Sequence, residues 1–273
     1  MASETPKTYA LGSSVTEHRR LVRQALLLEP LTERLLREAG VGQGMRVLDL
    51  GCGMGDVSML AARLVGPTGR VVGVDRDDMV LANASQRAEA AGYENIRFLH
   101  SDVADLPPSK PFDAAIGRLI LSFLPDPVAV LKSLYSLVRP GGVFAFQEVS
   151  LANTLAQTAH LPLRKQVWSL IHDTLARGGA RTNNELFLYR DFQAAGLPPP
   201  TLRNELLLGD TPEIRSYLLD LLSAMWSRVN EYEAAREKLG DFSTLAARLD
   251  AELDASNSFA ACPGVVNAFS RRP

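Results

Sequence analysis

Between residues 46 and 149, short apolar runs alternate with segments of helical periodicity, and that alternation leaves the chain few folds to choose from. "RVLDLG" (46–51) reads as a strand followed by a helix over 55–65, and "RVVGVD" (70–75) as a strand followed by a helix over 77–91. "IRFLHSD" (96–102) and "FDAAIGR" (112–118) are the third and fourth strands. A helix over 127–138 then leads through "RPGG" to a fifth, "VFAFQEV" (143–149). Strands joined by crossovers of this length form a parallel sheet with helices on both faces. "LRNELLLG" supplies a sixth strand, and "GVVNAFSRR" a seventh after a long helical stretch. The expected fold is α/β: a doubly wound, seven-stranded, mainly parallel sheet of order 3-2-1-4-5-7-6. Only the last strand is antiparallel, and an α-helical cap is added.

The flanks supply that cap. In "SVTEHRRLVRQALLL", Ser14 and Glu17 have capping-box spacing, and apolar residues return at helical intervals. Pro30 suits the first turn of a second helix, "PLTERLLREAG", which Gly40 ends. Residues 1–40 are therefore expected to form an N-terminal helical lid on a main domain of residues 41–273. Helical insertions at about 155–182 and 211–258 would join the lid above the carboxyl edge of the sheet, where doubly wound folds bind ligands.

Composition excludes several classes. The hydrophobic share of 46% and charged share of 22% are those of a globular domain, and the net charge of −2 leaves no footprint for nucleic acid or an anionic membrane. The basic run "RRLVR" (19–23) is balanced by Glu17, Glu29 and Glu33. No apolar run reaches the length of a membrane span, about 18 residues. Of two cysteines, Cys52 sits between glycines as a small apolar filler, and nothing resembles a metal or disulfide framework. A cytoplasmic monomer or homodimer without metal, membrane or nucleic-acid partner is expected.

"LDLGCGMGD" places Gly51, Gly53 and Gly55 between strand and helix. Three alternating glycines there serve the backbone: they let a ligand approach a turn whose N–H groups point into the crevice. A dinucleotide fold asks for Gly-x-Gly-x-x-Gly, but here the third glycine comes one place early and Asp56 stands where it belongs. A carboxylate there repels a pyrophosphate, so NAD is disfavoured. Asp49, inside the strand, suits a ligand bearing an ammonium group. Asp75 and Asp102 end consecutive strands; each alone reads equally as a helix cap, as does Asp77, but together they face one crevice.

"VLDLGCGMG" resembles the first motif of class I, Rossmann-like S-adenosylmethionine-dependent methyltransferases, and further motifs match in order as far as residue 150. The resemblance makes S-adenosylmethionine the cofactor and S-adenosylhomocysteine its product. It gives Asp75 to the ribose hydroxyls, Arg76 and Met79 to the adenine faces, and Asp102 with the Val103 backbone to the adenine edge. Arg118, at the end of the "FDAAIGR" motif, joins the cofactor-binding set. "YALGSSVTEHRRLVRQ" is similar to the lid of a bacterial branch of small-molecule methyltransferases, which places Tyr9 and Gln24 at the methionine end.

An activated sulfonium methyl asks chiefly for an in-line nucleophile, and a base only where the acceptor must lose a proton. Candidates for that base are His172 and His160 on the insertion and Glu148 at the end of the fifth strand. Trp168, Met225 and Trp226 are candidate walls for a small, partly apolar acceptor. "IGRL" stands at the end of the fourth strand where amino-group methyltransferases acting on nucleobases or Gln amides often carry Asn/Asp-Pro-Pro-aromatic, which favours a small-molecule acceptor of the kind met in secondary metabolism. A protein or RNA methyltransferase and an S-adenosylmethionine-binding cyclase or binding protein are the alternatives.

Overall fold

A computed structural model describes residues 15–107, 109–229 and 239–273. Helix α1 (Val15–Ala39) precedes strand β1 (Arg46–Leu50), α2 (Asp56–Val65), β2 (Arg70–Asp75), α3 (Asp78–Ala90) and β3 (Ile96–His100). Strand β4 (Phe112–Arg118), α4 (Pro127–Leu137) and β5 (Val138–Ser150) complete the parallel half. Beyond them come α5 (Leu151–Gln157), α6 (Pro162–Arg177), α7 (Glu185–Ala194), β6 (Thr201–Glu205), β7 (Leu208–Gly209) and α8 (Pro212–Ala224). A short α9 (Trp226–Val229), α10 (Leu245–Ala255), β8 (Ala260–Ala261) and β9 (Gly264–Arg271) end the described chain.

The main sheet has seven strands in the order β3-β2-β1-β4-β5-β9-β6. β9 is the seventh of these strands and runs antiparallel to both β5 and β6, while the other pairs are parallel. Successive residues of each inner strand feed opposite cores, as the two-residue period requires. Leu48, Ala115, Phe144 and Phe146 pack with Leu131 of α4 and Phe192 of α7, whereas Val47, Ile116 and Ala145 pack with Leu35 and Leu36 of α1 and Leu60 of α2. A third core, built on Trp168, Ile171, Leu218, Leu222, Met225 and Leu249, belongs to the helices α6, α8 and α10.

Four expectations need correcting. The N-terminal helices are one: α1 runs through Pro30 to the Gly40 stop, where Gly40 N–H bonds Arg37 O and Val41 N–H bonds Leu36 O. Pro30 is exposed, and Leu26, whose carbonyl loses a partner, is 68% exposed, so the lost bond falls on the solvent side of the helix while the buried face of Leu28, Leu31 and Leu35 continues unbroken. Ser14 lies outside the described residues. Strand "LRNELLLG" splits into β6 and β7, and β7 pairs with β8 in a separate two-stranded sheet. Pro263, between β8 and β9, has no N–H to carry the ladder on. β5 starts at Val138, five residues early, with a register shift opposite Phe112 and Ala114. Helix α5 was not anticipated. No helix among the described residues is long and apolar enough to cross a membrane.

Candidate functional site

The carboxyl ends of β1, β2 and β4, α1 and the cap helices enclose a cavity of about 990 Å³, the upper end of the range of ligand sites. Gly51, Gly53 and Gly55 all have positive φ, at 60°, 52° and 81°, but they serve different neighbours. A Cβ on Gly51 would meet Ile120 Cδ1 at 2.7 Å, and one on Gly55 would meet Phe98 Cζ at 3.0 Å. A Cβ on Gly53 would meet nothing within 4 Å. Gly51 and Gly53 both line the cavity, but Gly53 alone of the three has open space above its backbone; at Gly51 and Gly55 the missing side chain lets protein pack on protein.

Asp75 holds that backbone in place. Its Oδ2 accepts from Gly53 N–H (3.0 Å) and its Oδ1 from Asp77 N–H (3.1 Å), and the remaining lone pairs of the half-buried carboxylate face the cavity. Asp77 is the N-cap of α3, accepting from Met79 and Val80 N–H. Asp102 and buried Val103 also line the cavity, with Asp102 Oδ1 accepting from Ala104 N–H (2.9 Å). Arg76 lines it too, but Met79 is 65% exposed and does not; Val80 takes the wall position expected of it. Asp49 is buried beneath the glycine loop, with its Oδ2 accepting from Ser58 Oγ at 2.6 Å. Burial pushes its carboxyl up to about 7, against the opposing pull of Ser58 and Arg118. Asp56, beside the loop, is paired with Arg87 at 2.6 Å.

Arg118 lines the cavity at the end of β4, its pKa lowered by burial. Gln24 does so from α1, its Oε1 accepting from Arg20 and from Tyr217 Oη (3.2 Å). Tyr9 lies outside the described residues. Sequence reasoning missed the far wall, which is apolar: Leu21 of α1, Ile120, Phe123 and Leu124 after β4, Leu151, Leu175, Leu221 and Pro263. The turn after β4 and Leu151 after β5 carried a usable signal, because residues just past parallel strand ends face the crevice. Nothing in helical spacing separates Leu175 or Leu221 from core leucines.

The candidate walls lie elsewhere. Trp168 and Met225 are fully buried inside the cap core, and Trp226 stacks on Phe242 at 4.1 Å. The candidate bases are likewise absent from the cavity lining. His160 bonds Ser258 Oγ (2.7 Å), and His172 bonds the adjacent Asp173 (3.1 Å) on the outside of α6. Glu148 is fully buried and its carboxylate is taken up by the turn after β4: Ile120 and Leu121 N–H donate at 3.0 and 2.8 Å, Ser122 N–H at 3.3 Å, and Ser122 Oγ donates as well. Burial pushes it up to about 7, against those donors. It fixes the turn that bears Ile120 and Phe123, including Leu119 at the unusual φ of 57°.

The cradle fits S-adenosylmethionine. It offers bare backbone at Gly53, an open carboxylate at Asp75, an acid at Asp49 for an ammonium and a cation at Arg118 for a carboxylate. Comparison with known proteins agrees. A family model described as a methyltransferase domain matches residues 42–186. Demethylmenaquinone methyltransferase of Staphylococcus aureus (strain JH9) is 31% identical over 139 residues, 50% of this chain and 54% of the relative, so the chain matches about half of that relative's length. Among solved structures, the YcgJ protein of Bacillus subtilis superposes with TM-score 0.59 at 16% identity, covering 89% of this chain and 98% of that one. The [4+2]-cyclase SpnF superposes with TM-score 0.54 at 20% identity, covering 89% and 81%. These likenesses speak to fold alone. With its class I S-adenosylmethionine-dependent methyltransferase fold and a family match spanning more than half its length, the chain belongs to the methyltransferase-domain family.

Proposed function

We infer that the protein transfers the methyl group of S-adenosylmethionine to a small-molecule acceptor by in-line displacement. The observation that carries this reading is one cavity with two unlike halves: Gly53, Asp75 and Asp102 at one end, the apolar wall of Phe123, Leu151, Leu175 and Leu221 at the other. At about 990 Å³ it has room for a cofactor and a second molecule together. Bound S-adenosylmethionine supplies a sulfonium methyl open to displacement by an electron pair. The chain's part is to hold that end between Asp49 and Arg118 and to keep water from the acceptor with the leucines of the cap. Positioning and water exclusion of this kind account for large rate gains without a dedicated base. That agrees with His160, His172 and Glu148 lying off the cavity wall. A small-molecule acceptor is also supported by the Staphylococcus relative, whose name states demethylmenaquinone as its acceptor. Incubation with S-adenosylmethionine and a panel of apolar hydroxyl, amine and activated-carbon compounds, read by mass spectrometry, tests it. Gain of one methylene unit by an acceptor, with S-adenosylhomocysteine formed in equal amount, is expected. Methylation of only protein or RNA in the same assay would overturn the small-molecule assignment.

A further inference from the structure

A line of polar side chains, buried at its centre, crosses the sheet from the cavity to its far edge. Arg118, Gln147, Asn267 and Arg203 are direct register partners on β4, β5, β9 and β6. Thr32 of α1 lies over the row. Arg118 Nη1 donates to Thr32 Oγ1 (3.2 Å), Thr32 Oγ1 to Gln147 Oε1 (2.8 Å), Gln147 Nε2 to Asn267 Oδ1 (2.7 Å) and Asn267 Nδ2 to Glu205 Oε1 (2.8 Å). Arg34 of α1 pairs with the other oxygen of Glu205. Thr32, Gln147 and Asn267 are 2%, 0% and 3% exposed, so none can turn to water instead.

The direction of every bond follows from the two ends. A carboxylate only accepts, so Asn267 must turn its NH2 to Glu205 and its oxygen to Gln147. Gln147 must then turn its NH2 to Asn267 and its oxygen to Thr32. Thr32 has a single hydroxyl proton. The Leu28 carbonyl, 3.0 Å away, is a second taker and keeps its helical N–H donor without it. Gln147 Oε1, buried at 2.8 Å, can only accept and has no other donor among the described residues, so the proton goes to Gln147. That leaves the Thr32 lone pairs for Arg118, which only donates. The row is an aligned chain with one allowed polarity. Arg118 makes no ion pair among the described residues, and Thr32 is its hydrogen-bond partner. One nitrogen is thereby fixed, and the rest of the guanidinium fork is set toward the cavity.

The geometry points to Thr32, Gln147 and Asn267 as a positioning relay that aims Arg118 at the carboxylate end of the bound cofactor. This rests on the reading of the cavity as an S-adenosylmethionine site. Calorimetric titration of the full chain with S-adenosylhomocysteine and with 5′-methylthioadenosine, which lacks the amino-acid end, separates the two ideas. Thr32→Val should weaken S-adenosylhomocysteine by about five- to twentyfold and leave methylthioadenosine within about twofold, since what is lost is orientation of a charged donor. Thr32→Ser, which keeps the hydroxyl, should restore both. Glu205→Gln at the half-buried far end removes the acceptor-only terminus, and should weaken S-adenosylhomocysteine selectively by about two- to fivefold. Equal loss for both nucleosides, or no loss for either, overturns the relay. Wild-type protein that binds neither nucleoside overturns the cofactor reading, and the relay with it.

Discussion

Gly53 and Asp49 show how much of the site depends on single residues. At Gly53 the φ of 52° and the empty space above it mean that a side chain there would be strained and would stand where a ligand's backbone contact should be. Gly53→Val should abolish S-adenosylhomocysteine binding while circular dichroism keeps the α/β spectrum. Normal binding by the folded variant would show that the loop does not touch the cofactor. Asp49 and Glu148 are buried carboxylates both raised to about 7 in the fold. Between the ordinary carboxylate range and about pH 7 the folded state holds more protons than the unfolded one. Their contribution to stability is therefore greatest in acid and falls as pH rises toward 7. Asp49→Asn should flatten the dependence of Tm on pH between 5 and 7.5; an unchanged slope would show that Asp49 does not titrate there. A cation bound beside Asp49 favours its ionised form, so S-adenosylhomocysteine should also bind more tightly as pH rises through 7, and less so in Asp49→Asn.

Elements show where sequence is informative and where it falls silent. The strands of the parallel half were legible because short apolar runs, glycine turns and acidic strand ends all agree there. Pro30 misled because a proline marks a helix start only when its lost hydrogen bond cannot be met by water, and exposure of Leu26 is a property of the packed molecule. Trp168 and Met225 misled for a like reason: helical spacing reveals that a residue is buried, not whether it borders a cavity or a core. Glu148 was legible as a buried acid at a strand end, but its donors come from a turn 26 to 28 residues away in sequence. Helix α1 combines two environments, with Leu35, Leu36 and Ala39 in the sheet core and Arg20, Leu21 and Gln24 on the cavity wall. Hydrogen exchange with and without S-adenosylhomocysteine should therefore gain protection over residues 20–28 and stay unchanged over 31–39. Uniform protection along α1 would mean that it moves as one lid.

At the scale of the whole molecule the fold does not decide the chemistry, since a [4+2]-cyclase carries it as well. The decision belongs to the cavity: an acidic, glycine-lined half suited to a cationic nucleoside, and an apolar half closed by helices from three separate parts of the chain. Glycine spacing likewise separates this chain from a dinucleotide enzyme, because the third glycine comes one place early and Asp56, paired with Arg87, stands where it belongs. The most direct test is calorimetric titration of wild type and Asp75→Ala with S-adenosylhomocysteine, using NAD as the control ligand. One site per chain is expected for S-adenosylhomocysteine and none for NAD. Asp75→Ala should weaken the affinity by about 1–3 kcal/mol as the charge-assisted bonds to the ribose are lost. Wild-type affinity in a folded Asp75→Ala protein, or binding of NAD in place of S-adenosylhomocysteine, would contradict the account.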